Sequence, residues 1–272
     1  MQEHLTYRNH MNESIDFGDA GIYVKRSDLH DYSWTVSQKN NRISGFKRSV
    51  SSKSLPVIIH AATPEEGVAV RNQLMEIAEK DILAQQPGRL IIGEYYLTCY
   101  ITASTKTSYL KSRRRMDATL TITTDRPYWV KETLSSFRKN ALENAWFDYP
   151  FDYSYDYASS LISAQLNNGD FTATNFRMTF FGPCANPAVH IAGHIYRVAC
   201  TAESGELIIV DSAEKTIRKI ARDGAETNAF NLRDRTSYIF QKIPPGISQV
   251  SWDGEFGVDV TLLEERSEPK WT

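Results

Sequence analysis

Cysteine is scarce: Cys99, Cys184 and Cys200 are the only three in 272 residues, and no two form a CxxC pair. So few thiols, so widely scattered, exclude a disulfide framework and are expected to be buried and free. No apolar run approaches the ~20 residues of a membrane-spanning helix, and the polar start MQEHLTYRNHMNES lacks the hydrophobic stretch of a secretory signal. A soluble chain made in the cytoplasm, with no membrane insertion, is expected. The sequon Asn12-Glu13-Ser14 therefore carries no weight. The phosphate-binding patterns GxxxxGK(S/T) and GxGxxG and the hydrolase pattern GxSxG are absent, so no common catalytic signature is available. Glycine (14) and proline (10) are not in excess and 41% of residues are hydrophobic, which argues against disorder on the scale of a domain. A net charge of −2 is far from the basic balance of a dedicated nucleic-acid binder.

What the chain has is a ladder of rings. Every odd position from Phe147 to Tyr157 is aromatic (Phe147, Tyr149, Phe151, Tyr153, Tyr155, Tyr157), with Asp148, Asp152 and Asp156 among the residues between. A period of two places all six rings on one face of an extended segment, and Pro150 argues against a helix. The ladder also marks a change in electrostatics. Residues 1–145 hold 20 Lys and Arg against 16 Asp and Glu, whereas residues 146–272 hold 11 against 17. Length and charge together predict two domains, 1–145 and 146–272, with residues 146–157 as the linker that opens the second.

In the first domain, Leu29–Val36 and Leu55–His60 read as strands. Residues 37–54 between them carry Lys39, Arg42, Lys47, Arg48 and Lys53, six serines and no acid. They read either as a solvated loop or as an arm that orders against a neighbouring subunit or an acidic surface. Thr63, Pro64 and Glu66 form a capping box with proline at the first helical position, so a helix over about 64–86 is predicted. Val70, Leu74, Ile77 and Ala78 give it one apolar stripe. Gly93-Glu94 suits a type II′ hairpin turn between Leu90–Ile92 and Tyr95–Ile101. Met116, Ala118, Leu120 and Ile122 alternate with polar partners as a half-buried strand. The second domain has no convincing helix and many short strand patterns: around Phe176–Phe180, Val189–Ala199, Glu206–Asp211, Lys215–Ala221, Ser237–Lys242, Ser248–Trp252 and Gly257–Leu263. That spacing reads as a β-sandwich or jelly roll. The fold class is thus mainly β with one main helix.

Candidate chemistry is thin. His190 and His194 would share a helix face, but Gly193 and the β-branched surroundings indicate a strand, and no metal site is assigned. Asp148, Asp152 and Asp156 lie roughly 13 Å apart in an extended segment, beyond the spacing of a glycosidase pair. Arg113, Arg114 and Arg115 precede the clean strand as a solvated entrance, as contacts to nucleic-acid phosphates, as the lining of a DNA conduit, or as partners for acids across a subunit interface. Trp252 or Trp146 offers a ring for sugar stacking, against the commoner role of core.

The order of the pieces resembles the distal tail (Dit) proteins of siphophages, a family of baseplate hubs, over nearly the whole chain. The likeness rests on Pro56–His60, the helix with Arg71-Asn72, Asp81 and Pro87-Gly88, and Thr123-Thr124-Asp125-Arg126-Pro127-Tyr128-Trp129. It continues through the linker FDYPFDYSYDYA, Asn186-Pro187, LIIVD with Lys215-Thr216-Ile217, Asn228-Ala229-Phe230, Ile243-Pro244-Pro245-Gly246-Ile247 and the terminal run Glu264 to Trp271. The resemblance implies an N-terminal β-rich ring-forming domain that docks on the tail tube, and a C-terminal galectin-like β-sandwich. It implies a homo-hexamer at the virion tail tip, joining the tail tube protein to a tail-associated lysin-like hub protein and a receptor-binding protein, with DNA only passing through the lumen. No catalytic residue, metal or cofactor is implied. Lys39, Arg42, Lys47, Arg48, Lys53 and Arg113–Arg115 are then candidate subunit or lumen contacts, and Trp146 with the six rings marks the domain junction. The alternative is a carbohydrate-binding module for a cell-wall saccharide, with Trp252 as its stacking residue.

Overall fold

The structure is a computed structural model, and it describes residues 4–18, 21–25, 27–107, 113–139 and 162–271. Two compact units are formed, one by Met1–Lys131 with Glu265–Thr272 and the other by Glu132–Glu264. Both are β-rich. The junction at 145/146 and the whole aromatic ladder, Trp146 and Phe147 to Tyr157, lie outside the described residues.

The elements of the first unit are β1 (Leu5–Arg8), β2 (Ser14–Phe17), β3 (Ile22–Val24), β4 (Thr35–Lys39), β5 (Arg42–Lys47), β6 (Ser51–His60), α1 (Pro64–Ala84), β7 (Gly88–Ile92), β8 (Tyr95–Lys106), β9 (Arg115–Thr124) and the start of β10 (Trp129–Phe137). The long strand β8 links two sheets. Its first half pairs with β7 and β10, and β7 continues to β1 and β2. A register shift between Ile101 and Ala103 re-aims its second half onto β9, which pairs in turn with β6, and β6 with β3. Such a bulge adds one residue to one strand and sharpens the local twist, which lets one strand serve two sheets.

The helix begins as its sequence dictates. Thr63 Oγ1 accepts the Glu66 N–H at 3.2 Å while the Glu66 carboxylate accepts the Thr63 N–H at 3.2 Å, and Pro64 occupies the first turn. It ends at Ala84, two residues short of the predicted 86, because Gln85 turns left-handed (φ 53°) and its N–H reaches back to Asp81 and Ile82. Gly67, Leu74, Ile77, Ala78 and Asp81 form its buried side against the core, with Val70 partly buried beside them. Gly67 is required by a close approach, since a Cβ there would lie 2.2 Å from the Arg113 carbonyl oxygen. The turn at Gly93-Glu94 also forms as predicted: Gly93 has φ 56° and Glu94 does not share that region, as type II′ demands.

Several readings change. Residues 29–34 are not strand, because Leu29 is buried in a turn and pairing begins only at Thr35. Residues 37–54 are not a loop: they hold most of the β4–β5 hairpin and the start of β6. Strands β1, β2, β3 and β10 were missed because each is short or lacks clean alternation.

The second unit is a sandwich of β11 (Ile162–Asn168), β12 (Asn175–Phe181), β13 (Cys184–Ala185), β14 (Ala188–Ile191), β15 (His194–Arg197), β16 (Thr201–Ala202), β17 (Leu207–Asp211), β18 (Thr216–Ile220), β19 (Glu226–Asn228), β20 (Gly246–Trp252) and most of β21 (Val258–Arg266). One sheet runs β19-β18-β17-β12-β21 and the other β11-β20-β14-β15. Phe176, Met178 and Phe180 of β12, Ile208 and Val210 of β17 and Val258, Val260 and Leu262 of β21 meet Leu166, Val189, Ile191, Tyr196 and Val250 of the facing sheet in one core. Period-two alternation produces this arrangement. Ser237–Lys242 is not a strand; Ile239 and Phe240 are buried from a turn closed by the Gln241 N–H to the Tyr238 carbonyl.

Candidate functional site

The β4–β5 hairpin stands out because it forms a two-stranded sheet of its own. Asn40 and Asn41 both adopt positive φ (53° and 60°), which matches a two-residue type I′ turn, so asparagine there is chosen by backbone geometry. The register pairs Val36 with Phe46 and Gln38 with Ile43, putting Val36, Ile43 and Phe46 on one face. They are 43%, 62% and 59% exposed. Thr35 pairs with Lys47 and Lys39 with Arg42, so the opposite face is basic. Lys39, Arg42 and Lys47 have no ion-pair partner among the described residues. An isolated hairpin with an open apolar face is marginal in water and gains most from a partner.

The two remaining cations of the segment are built into its base. The Arg48 guanidinium lies 4.9 Å from the Tyr128 ring centroid, 5.1 Å from Trp34 and 6.0 Å from Tyr32. Burial lowers its pKa, opposed by the tyrosines, while its Nε and Nη1 are buried without a hydrogen-bond partner. Trp34 packs edge-on against both Phe46 and Tyr128, so the aromatic group around Arg48 is continuous with the hairpin's apolar face. Lys53 Nζ donates to the carbonyls of Asp28 (2.9 Å), Leu29 (3.1 Å) and Asp31. Burial lowers its pKa too, with Asp28 and Asp31 opposing. Lys53 is therefore engaged in fastening the 28–31 turn, and the candidate contact surface contracts to Lys39, Arg42 and Lys47. Both lysine and arginine here border a cleft of about 270 Å³ that also includes Asp28, Asp31 and Ser51.

The other candidates are dispersed. Arg113, Arg114 and Arg115 are exposed at the entrance to β9, with the Arg114 carbonyl accepting the Ala61 N–H at 2.9 Å. His190 and His194 sit on β14 and β15 of one hairpin, with Ile191 opposite His194, and the His194 Nε2 lies 3.0 Å from the Tyr238 carbonyl. No group of metal-binding side chains occurs among the described residues. Trp252 is 3% exposed, donates its indole N–H to the Phe256 carbonyl at 3.1 Å and packs edge-on against Phe137 at 5.7 Å. Its faces are occupied by core, which removes it as a sugar platform. Trp146 and the acids of the ladder lie outside the described residues.

One polar cluster is not announced by any local spacing, although its acid, Asp81, is among the residues that carry the family resemblance. Asp81 on α1 is wholly buried and accepts from the Tyr7 hydroxyl at 2.5 Å and the His10 N–H at 3.0 Å, with His10 Nδ1 also at 2.5 Å. It ties the helix to β1 and the following turn. Burial, and then the bond to Asp81, push the Tyr7 hydroxyl well above the ordinary tyrosine range. An acid 74 residues from its tyrosine has no local sequence pattern, so only the fold brings them together.

No family model matches the sequence, nor does any curated protein sequence. Solved structures do match. The Dit protein of phage SPP1, a paradigm of the hub adsorption apparatus in phages infecting Gram-positive bacteria, aligns over 97% of this chain and 99% of its own at a TM-score of 0.59 and 10% identity. The chain has the Dit fold. Chains of the phage P2 baseplate in its activated conformation agree: one, with Ca, covers 99% of this chain and 100% of its own at TM-score 0.64 and 12% identity. Another, with Sr, covers 98% and 99% at 0.63 and 12%. The Dit fold thus spans both units and α1. At 10–12% identity the likeness is one of fold.

Proposed function

We propose that this chain is a structural hub protein of a phage tail tip, built into the baseplate that joins tail tube to host-binding components. The observation that carries the reading is the end-to-end match to SPP1 Dit, which spans 97% of this chain. In this reading copies assemble as a hexameric ring through the first unit, with the galectin-like sandwich carried by each copy and DNA passing through the lumen. The tail tube protein, a lysin-like hub protein and a receptor-binding protein would be its neighbours. The open apolar face of the β4–β5 hairpin and its three cations without an ion-pair partner among the described residues support a role in joining protein surfaces. The three clefts lined around Lys215, Phe181 and Arg48 contain no histidine or cysteine among their lining residues, so no nucleophile–base pair of those types converges in them. The saccharide-binding alternative loses its stacking residue with the burial of Trp252.

Mass by multi-angle light scattering across a concentration series, with negative-stain images, tests the ring. Six-copy rings are expected. A strictly monomeric protein at the highest concentrations, and also in a mixture with its tube protein, would overturn the hexameric hub.

A further inference from the structure

The sandwich carries a cleft of about 480 Å³ at the β18–β19 edge of its larger sheet. That volume lies within the roughly 300–1,000 Å³ of ligand sites. Six of the eight lining residues are polar, with Ile217 and Phe230 the exceptions. Arg218 stands opposite Asn228 and Glu226 opposite Ile220, so Arg218 and Glu226 meet on the diagonal, Nη1 to Oε2, at 2.9 Å. Asn228 Oδ1 accepts the Phe230 N–H at 2.9 Å, and the Thr227 hydroxyl donates to the Lys219 carbonyl at 3.3 Å. Each of these bonds leaves capacity over. Glu226 Oε1, the other guanidinium N–H groups and the Asn228 amide N–H groups have no partner among the described residues. Phe230 is fixed, with the Arg233 guanidinium 4.1 Å from its ring centroid and the Phe240 ring nearly parallel at 6.0 Å.

We infer that this cleft binds a neutral mono- or disaccharide, held by hydrogen bonds from β18 and β19 instead of by ring stacking. The other ligand classes fit it poorly. An anion would meet the Glu226 carboxylate beside the cleft's one guanidinium, and a metal ion would find a single carboxylate and no histidine or cysteine. An extended peptide needs a longer edge, since β19 offers three residues and the first is charged. An apolar ligand would strip water from the ion pair and the amide and replace none of its hydrogen bonds. Sugar hydroxyls match what is left, because each both donates and accepts: Glu226 accepts while Arg218 and Asn228 donate. The ion pair also restrains both side chains in advance, which reduces the freedom lost on binding. Phe230 adds apolar contact for sugar C–H groups. The site is separate from Trp252, whose ring is core. It adds a function to the hub reading and does not depend on ring formation.

Amide chemical-shift titration of the full-length chain tests this, with glucose, galactose, mannose and N-acetylglucosamine each taken to about 20 mM, which brackets a millimolar Kd. At least one probe is expected to give saturable shifts centred on residues 215–218 and 226–230. Arg218→Met and Glu226→Gln should each weaken that binding at least about fivefold, with circular dichroism unchanged because both side chains face solvent. Affinity for the neutral probe should stay level as salt rises from about 0.05 to 0.5 M. Glucuronate and glucose 6-phosphate serve as charged counterparts and should bind no more tightly than glucose. No saturable shift with any of the four sugars, or shifts centred elsewhere, would overturn the site. So would wild-type affinity in both variants. Tighter binding of the charged probes, lost at high salt, would overturn the neutral ligand in favour of an anion.

Discussion

Individual buried side chains set the stability of the first unit more than its charges do. Asp81 keeps its carboxylate dry only because Tyr7 and His10 supply donors, and an unsatisfied buried acceptor costs about 1–3 kcal/mol. Tyr7→Phe, which retains the ring, is therefore expected to lower unfolding free energy by about that amount in urea titration; a change below about 0.5 kcal/mol would show that water replaces the hydroxyl. Alkaline pH probes the same site. Burial pushes the Cys99 thiol from an ordinary 9.0 up to about 12 and raises Tyr7 and Tyr196 above the usual tyrosine value. The folded chain thus holds these protons after the unfolded chain has released them. The contribution of these groups should be level up to about pH 8 and fall as pH passes 9 and then 10, at up to about 1.4 kcal/mol per unit for each group. Urea midpoints between pH 7 and 11 measure this, and Tyr7→Phe should make the decline shallower above pH 10. An unchanged slope in that variant would remove Tyr7 from the account. Lys53 and Arg48 teach a related lesson: a basic run in sequence mixes free cations with ones enclosed by carbonyls or rings, and only contacts sort them.

At the scale of elements, local chemistry and tertiary contact divide the work. The start of α1 was legible because a capping box is written in four consecutive residues, Thr63 to Glu66. Thr63→Ala should cost about 1 kcal/mol, read from the thermal or urea transition. Gly67, one residue later, has a different cause, since it admits the Arg113 backbone to the helix surface. Gly67→Ala would raise helix propensity by about 1 kcal/mol, yet it is expected to destabilise by about 1–3 kcal/mol through the clash with that carbonyl. A stabilised variant would mean that the entry to β9 moves away at little cost. The hairpin is the converse case. Its I′ turn at Asn40-Asn41 is local, but its strands are exposed on both faces and lack the buried alternation that reveals a strand.

For the whole molecule, the two cores and the hairpin are separable. Neither core contains a residue of β4 or β5. Replacing Thr35–Lys47 by a short glycine-serine link should thus leave circular dichroism nearly unchanged and the thermal midpoint within a few degrees, while abolishing self-association in light scattering. Loss of the cooperative transition would show instead that the hairpin holds the first unit together. The C-terminal end belongs to this scale as well. Trp271 stacks on His30 at 4.1 Å, which places the last described residue against the first unit although it follows the sandwich in sequence. The charge change near residue 145 follows chain order and is blind to such a return.

Alternation, caps and turn residues are local, and they were enough to determine a mainly β chain with one helix, the helix start, the II′ turn and the strands whose one face is buried. The order of its short motifs also pointed to the Dit family, and the fold match agrees with that. Tertiary structure decided what depends on distant partners: that β8 serves two sheets through one bulge, that Trp252 is core, and that Lys53 is engaged while Lys39, Arg42 and Lys47 have no ion-pair partner among the described residues. It also decided that Asp81 meets Tyr7. Each of these turns on which surfaces are left to water once the chain has closed, a quantity that no window of neighbouring residues contains.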